Sequence, residues 1–434
     1  MHNKTKLLIF ASLLLAACST DPMQEIPNRG DSAPEIETSG KICNTSDDAV
    51  AGSLIVKFGE EAIPSLEQNA LNAAKTRSAL TRSGIESVDD ILNDLHVTSL
   101  ERVFPEAGEH EARTRAAGLH RWYVLGFASE EDLDKAAERL AGVAEISKVQ
   151  FRTRLYRASD CKTYPFQATA NGQTRALVTA DFNDPNLFWQ WHYINNADQA
   201  VATTSVAGAD INVADAWKLT AGNPEVIVAI VDEGVKYTHP DLAANMWINP
   251  NPSPEYKNQD IHGWNFAADG PISWGQKGDS GHGTHVAGTV AAVNNNGIGV
   301  CGIAGGDGTP GSGVRLMSCQ IFDEPGRDAA TIEEIMVWTA DHGAVISQNS
   351  WTYVPGLPDL SQSGKAAIDY FIKYAGCDEN GNQTGPMKGG IVIFAAGNDG
   401  ISDPVFPGAY EKVVAVASLG SDGRKVAGSN YGSW

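Results

Sequence analysis

His282 stands in Asp279-Ser280-Gly281-His282-Gly283-Thr284-His285-Val286-Ala287-Gly288-Thr289, an imidazole set between glycines. A small-residue helical run over 286–293 follows it, so the ring projects from a helix start with little backbone bulk around it. Such a ring can reach a reacting atom and move a proton. Upstream, Val226-Ile227-Val228-Ala229-Ile230-Val231-Asp232 reads as a buried strand ending in a carboxylate, and Gly234 frees the turn beyond it. A third polar residue in a glycine setting is Asn398, in Ala396-Gly397-Asn398-Asp399-Gly400. His285, one turn after His282, invites a zinc reading, but the glutamate base of a His-Glu-x-x-His helix is absent.

The elements that position these residues alternate. Continuous apolar runs at 344–348, 391–396 and 413–417 suit parallel strands buried on both faces. Between them, 331–342 reads as a helix with Ile332, Ile335, Met336 and Thr339 inward and Gly343 just past its end, and 365–374 as another. The fold class is therefore α/β, a doubly wound, mostly parallel sheet, with its site where strands end. Asp232 and Asn398 both fall just past such ends. A smaller unit precedes it: strands at 53–58, 97–104, 121–127 and 146–151 and helices at 63–79 and 130–140. The order β-α-β-β-α-β predicts a small ferredoxin-like α+β domain.

Taken in order, these motifs resemble the subtilisin-like serine peptidases, whose triad runs Asp, His, Ser along the chain. The resemblance implies that Asp232 accepts the imidazole N–H, that His282 is the general base and that Asn398 is the oxyanion-hole donor. The family usually has Ser or Thr after the aspartate. Here Glu233 stands there, so that hydroxyl support is lost or the glutamate points away. Ser350-Trp351-Thr352 resembles the strand that pairs with a peptide substrate, with Ala395-Ala396-Gly397 as the opposite pocket wall. The family more often has Gly at the place of Thr352. His239-Pro240-Asp241-Leu242 and the 293–300 loop resemble the halves of the family's structural Ca2+ site. That implies Asp241, Val293, Asn295, Ile298 and Val300 as ligands, with Asn295 against Asn296 undecided in an asparagine run one residue longer than usual. By order and position, the ferredoxin-like unit is similar to the family's inhibitory propeptide.

Lys4 and Lys6, the apolar run 7–17 and Leu15-Ala16-Ala17-Cys18 resemble a bacterial lipoprotein signal with lipidation at Cys18. The expected organisation is a signal and lipobox over 1–18, a disordered tether over 19–50 and a propeptide-like inhibitor domain over 51–155. A cleavable junction over 156–182 and a peptidase domain over 183–434 complete it. The product is expected to cross the inner membrane and stay lipid-anchored in the cell envelope. A net charge of −21 excludes nucleic acid as a partner, since phosphate binding needs a basic face. Protein or peptide substrates and the chain's own propeptide are the expected partners. The five cysteines after Cys18 (Cys43, Cys161, Cys301, Cys319 and Cys377) form no disulfide framework, and Cys301 and Cys319 read as buried thiols. No serine stands in the family's nucleophile setting, Ser429 and Ser433 being in the wrong context. Two readings compete: a serine endopeptidase whose C-terminal part is missing, and an inactive peptide-binding lipoprotein.

Overall fold

Alternation along β1 (Ala49–Phe58) sends Leu54, Val56 and Phe58 to one face and Ile55 to the other, and both faces are buried. The computed structural model describes residues 40–76, 78–127, 131–157, 182–254, 256–275, 279–323 and 331–434. Cys18, Cys161 and the 158–181 stretch of the junction lie outside the described residues. Within the described residues, α1 (Ile63–Thr76), α2 (Glu86–Asp94), β2 (Ser99–Arg102), α3 (Glu111–Ala116), β3 (Trp122–Gly126), α4 (Leu133–Ala141) and β4 (Ile146–Thr153) complete the first unit. Its antiparallel sheet has the order β2-β3-β1-β4. One face packs Leu54, Val56, Tyr123, Leu125 and Val149 against Leu66, Val88, Leu92 and Leu140 of the helices. Part of the expected tether is instead docked: Ile42 bridges to Val149, and the Asn44 amide bonds Phe151 through both its oxygen and its nitrogen. The edge of β4 offers unpaired backbone groups that this segment satisfies.

The next elements are β5 (Tyr156–Arg157), α5 (Val213–Trp217), β6 (Ile227–Glu233), β7 (Gly263–Asn265), α6 (His282–Ala291) and β8 (Arg315–Phe322). They are followed by α7 (Ile332–Asp341), β9 (Ile346–Asn349), β10 (Trp351–Thr352), α8 (Gln362–Tyr374), β11 (Ile391–Ala395) and β12 (Val414–Val416). Six of the strands form one parallel sheet of order β12-β11-β9-β6-β8-β7. The apolar run of β12 is not buried on both faces as predicted. It pairs only with β11, and Val414 and Val416 are about half exposed, at 49% and 52%. In β8 the polar Ser318 and Gln320 mask the strand pattern. They are buried because they accept from Val235 N at 3.1 Å and Ser273 N at 2.9 Å.

The outer face of the first sheet rests on α7 and α8. Ile55, Trp122 and Leu119 share one apolar cluster with Ile335, Trp338, Ile368 and Phe371. Two polar anchors cross this contact. Gln150 reaches Ser363, whose Oγ donates to buried Glu333 at 2.5 Å. Arg113, on α3, donates to Tyr370 Oη and Cys377 O at 2.7 Å each and to Asp341. Cys43, Cys301, Cys319 and Cys377 are free thiols, the last three buried.

Candidate active site

Asp232 is 1% exposed near the end of β6, with its Oδ1 accepting from Glu233 N at 2.7 Å. His282 opens α6, and its Nδ1 lies 2.8 and 2.9 Å from the two carboxylate oxygens of Asp232. A carboxylate can only accept here, so Nδ1 carries the proton and Nε2 keeps its lone pair for a substrate or nucleophile proton. That bond raises the His282 pKa above the ordinary imidazole value, while burial acts against it. The helix sits this close because residue 283 is glycine: a Cβ there would lie 2.2 Å from Glu233 O.

Glu233 neither points away nor leaves the site unsupported. Its carboxylate accepts from His282 N at 3.0 Å, Ser280 N at 3.1 Å and Ser280 Oγ at 3.1 Å. A buried negative charge thus caps the helix that carries the histidine, where free N–H groups and the helix dipole favour it. Burial pushes the Glu233 pKa up and neighbouring Asp279 adds to that, while Arg157 opposes it. Arg157 Nη2 lies 3.1 Å from Glu233 Oε1.

The register places the remaining expected site residues. Val231 and Phe394 both pair with Asn349, so the residues after β6, β9 and β11 share one rim of the parallel sheet. Asn398 is exposed on the turn beyond β11. Buried Asn430 holds that turn by donating to Ala396 O at 3.0 Å and accepting from Asp399 N at 2.9 Å. Gly397 has φ 105° and lies so close to Asn430 Nδ2 that a Cβ would approach to 2.3 Å. Asn430 gave no signal in sequence, since its partners lie about thirty residues away. Ser350 Oγ accepts from Gln348 at 2.8 Å. Trp351 is fully buried, its indole 5.1 Å from the Phe394 ring, with β5 lying on its strand. Its backbone pairs with Arg157, and that of Thr352 with Tyr156, antiparallel.

Asp241 accepts from Val300 N at 2.9 Å and Asn296 Nδ2 at 2.8 Å. Asn296, not Asn295, therefore faces it; Asn295 Oδ1 accepts from Asn183 N at 3.1 Å. Asp184, which no motif in the sequence marks, accepts from Asn295 N at 2.6 Å and Asn296 N at 3.3 Å. Burial raises the Asp241 pKa and the Asp184 charge adds to it. Among the described residues no group of three or more His, Cys, Asp or Glu side chains has metal-holding geometry.

With this geometry, residues 223–434 match the subtilase family. This part of the chain is a subtilase domain. Relatives include a thermophilic serine proteinase of Bacillus sp. (strain AK1), 28% identical over 62% of this chain and 58% of its own length. Thermitase of Thermoactinomyces vulgaris is 32% identical over 51% of this chain and 65% of its own length. The chain thus spans less than two thirds of either. The crystal structure of fervidolysin from Fervidobacterium pennivorans, a keratinolytic enzyme related to subtilisin, aligns over 86% of this chain and 43% of that one. Its TM-score is 0.52 at 20% identity, a likeness of fold. The subtilase domain therefore carries its buried aspartate and helix-opening histidine on a subtilisin-like α/β sheet.

Proposed function

We propose that the protein is a subtilisin-type serine endopeptidase made as a secreted, lipid-anchored zymogen, with Asp232 orienting His282 as general base and Asn398 donating to the oxyanion. The observation that carries this reading is the Asp232–His282 contact at 2.8 Å on the strand-end rim of the parallel sheet. His282 Nε2 takes the proton of a serine hydroxyl as that oxygen attacks the peptide carbonyl, then returns it to the leaving amine. Ser429 does not suit the role, because its buried Oγ accepts from Ser418 N at 2.8 Å and donates to Asn430 O at 3.1 Å.

The zymogen part of the proposal is supported by β5. It lies antiparallel on β10, the strand that resembles the substrate-pairing strand, and so occupies the place of a peptide. Cleavage within 158–181 would free that place. The full-length gene product is therefore expected to hydrolyse casein only after a cut in this stretch. Added separately, the 51–155 unit should slow the hydrolysis. Equal activity before and after cleavage would contradict a zymogen.

Calcium is proposed at the 293–300 loop, where the Asp184 and Asp241 carboxylates, both held by loop N–H groups, would supply the anionic oxygens a hard cation takes. Asp184 and Asp241 are both buried and their like charges act on one another across the loop, an arrangement that a bound cation would relieve. Val293, Ile298 and Val300 would add carbonyls and the asparagine run an amide oxygen. Excess Ca2+ over chelator should raise the melting temperature, and Asp241→Ala should remove that response. An unchanged melting temperature in the parent chain would argue against the site.

A further inference from the structure

The residue that β5 places opposite Trp351 is Arg157, and its guanidinium is held on two sides. Nη2 lies 3.1 Å from Glu233 Oε1, and Cζ lies 5.2 Å from the centre of the Phe322 ring. Glu233 and Phe322 are direct partners in the β6–β8 register, so acid and ring come from one cross-strand pair on the rim that carries the Asp232–His282 contact. The Glu233 side chain is only 2% exposed.

We propose that Glu233 and Phe322 form a guanidinium pocket that makes the peptidase select arginine at the substrate residue opposite Trp351. The inference rests on the peptidase reading and adds a substrate class to it. A peptide that replaces β5 on β10 presents the side chain at this register to the same acid and the same ring. A neutral side chain there leaves a buried carboxylate without its cation, beside Asp232 and Asp279, an arrangement that costs binding. Arginine suits the pair better than lysine: its planar group stacks on the phenyl face while its N–H fork reaches the carboxylate. Glu233 also accepts the His282 N–H, so the cation settles the charge that caps the catalytic helix.

The test is kcat/KM of the matured full-length gene product on fluorogenic peptides in which one arginine is walked through successive positions before the scissile bond. At a single position, arginine should exceed norleucine by roughly tenfold to a hundredfold, with lysine between them. Glu233→Gln should bring the arginine-to-norleucine ratio close to one. Phe322→Leu should lower the arginine-to-lysine ratio and keep most of the arginine-to-norleucine ratio. Peptide cleavage without any arginine preference overturns the pocket and leaves the peptidase reading standing. An undiminished preference in Glu233→Gln overturns it too, and cleavage of no peptide at all overturns both readings. Should Glu233→Gln fail to fold, the parent and Phe322→Leu ratios still decide.

Discussion

Asp232→Asn is expected to lower kcat for peptide hydrolysis by about 10^4-fold in the matured full-length product, with KM nearly unchanged. The reason is the proton on His282 Nδ1. The two Asp232 oxygens, at 2.8 and 2.9 Å, accept it and keep Nε2 basic. An amide can turn its N–H toward Nδ1, which moves the ring proton to Nε2 and removes the base. The same contact sets the pH profile. Because Asp232 raises the His282 pKa, the neutral base is lost as pH falls through a midpoint above the ordinary imidazole value of about 6.5. In Asp232→Asn the residual activity should titrate at lower pH. A loss below tenfold, or a midpoint that does not move, would contradict the assigned role.

Arg113→Ala is expected to destabilise the contact between the N-terminal unit and α7–α8 by about 3–5 kcal/mol. Arg113 is 2% exposed and satisfies Asp341, Tyr370 Oη and Cys377 O together, with the Tyr370 and Tyr374 rings 5.6 and 5.7 Å from its Cζ. Alanine leaves the Asp341 carboxylate, its side chain only 9% exposed, without its counter-charge, which costs more than the pair itself contributes. Urea unfolding followed by tryptophan fluorescence reads the effect. Adding Asp341→Ala should recover part of the loss, because the orphaned charge goes with it. A loss below about 1 kcal/mol would mean that the guanidinium is solvated after all.

Local pattern made the centre of the site legible. The run ending at Asp232 is apolar throughout because both sheet faces are covered, and the glycines around His282 mark a helix pressed against a strand. Features set by distant partners were not legible. Glu233 looked like a departure from a hydroxyl residue, since its contact to Arg157 joins positions far apart in sequence. The strand β8 was hidden by Ser318 and Gln320, polar residues whose burial depends on loop N–H groups at Val235 and Ser273. Asp184 drew no attention because its partners, Asn295 and Asn296, arrive from another loop. The cover over Trp351 was not legible either, because β5 reaches it from nearly two hundred residues away.

The most direct measurement of the central claim is labelling by a serine-directed fluorophosphonate, which reacts only where an activated hydroxyl sits in a formed oxyanion site. The matured full-length gene product is expected to label one to one, and its His282→Ala form not to label above background. Absence of labelling in the matured product, or labelling undiminished by His282→Ala, would contradict the assignment of Asp232 and His282 as the catalytic pair.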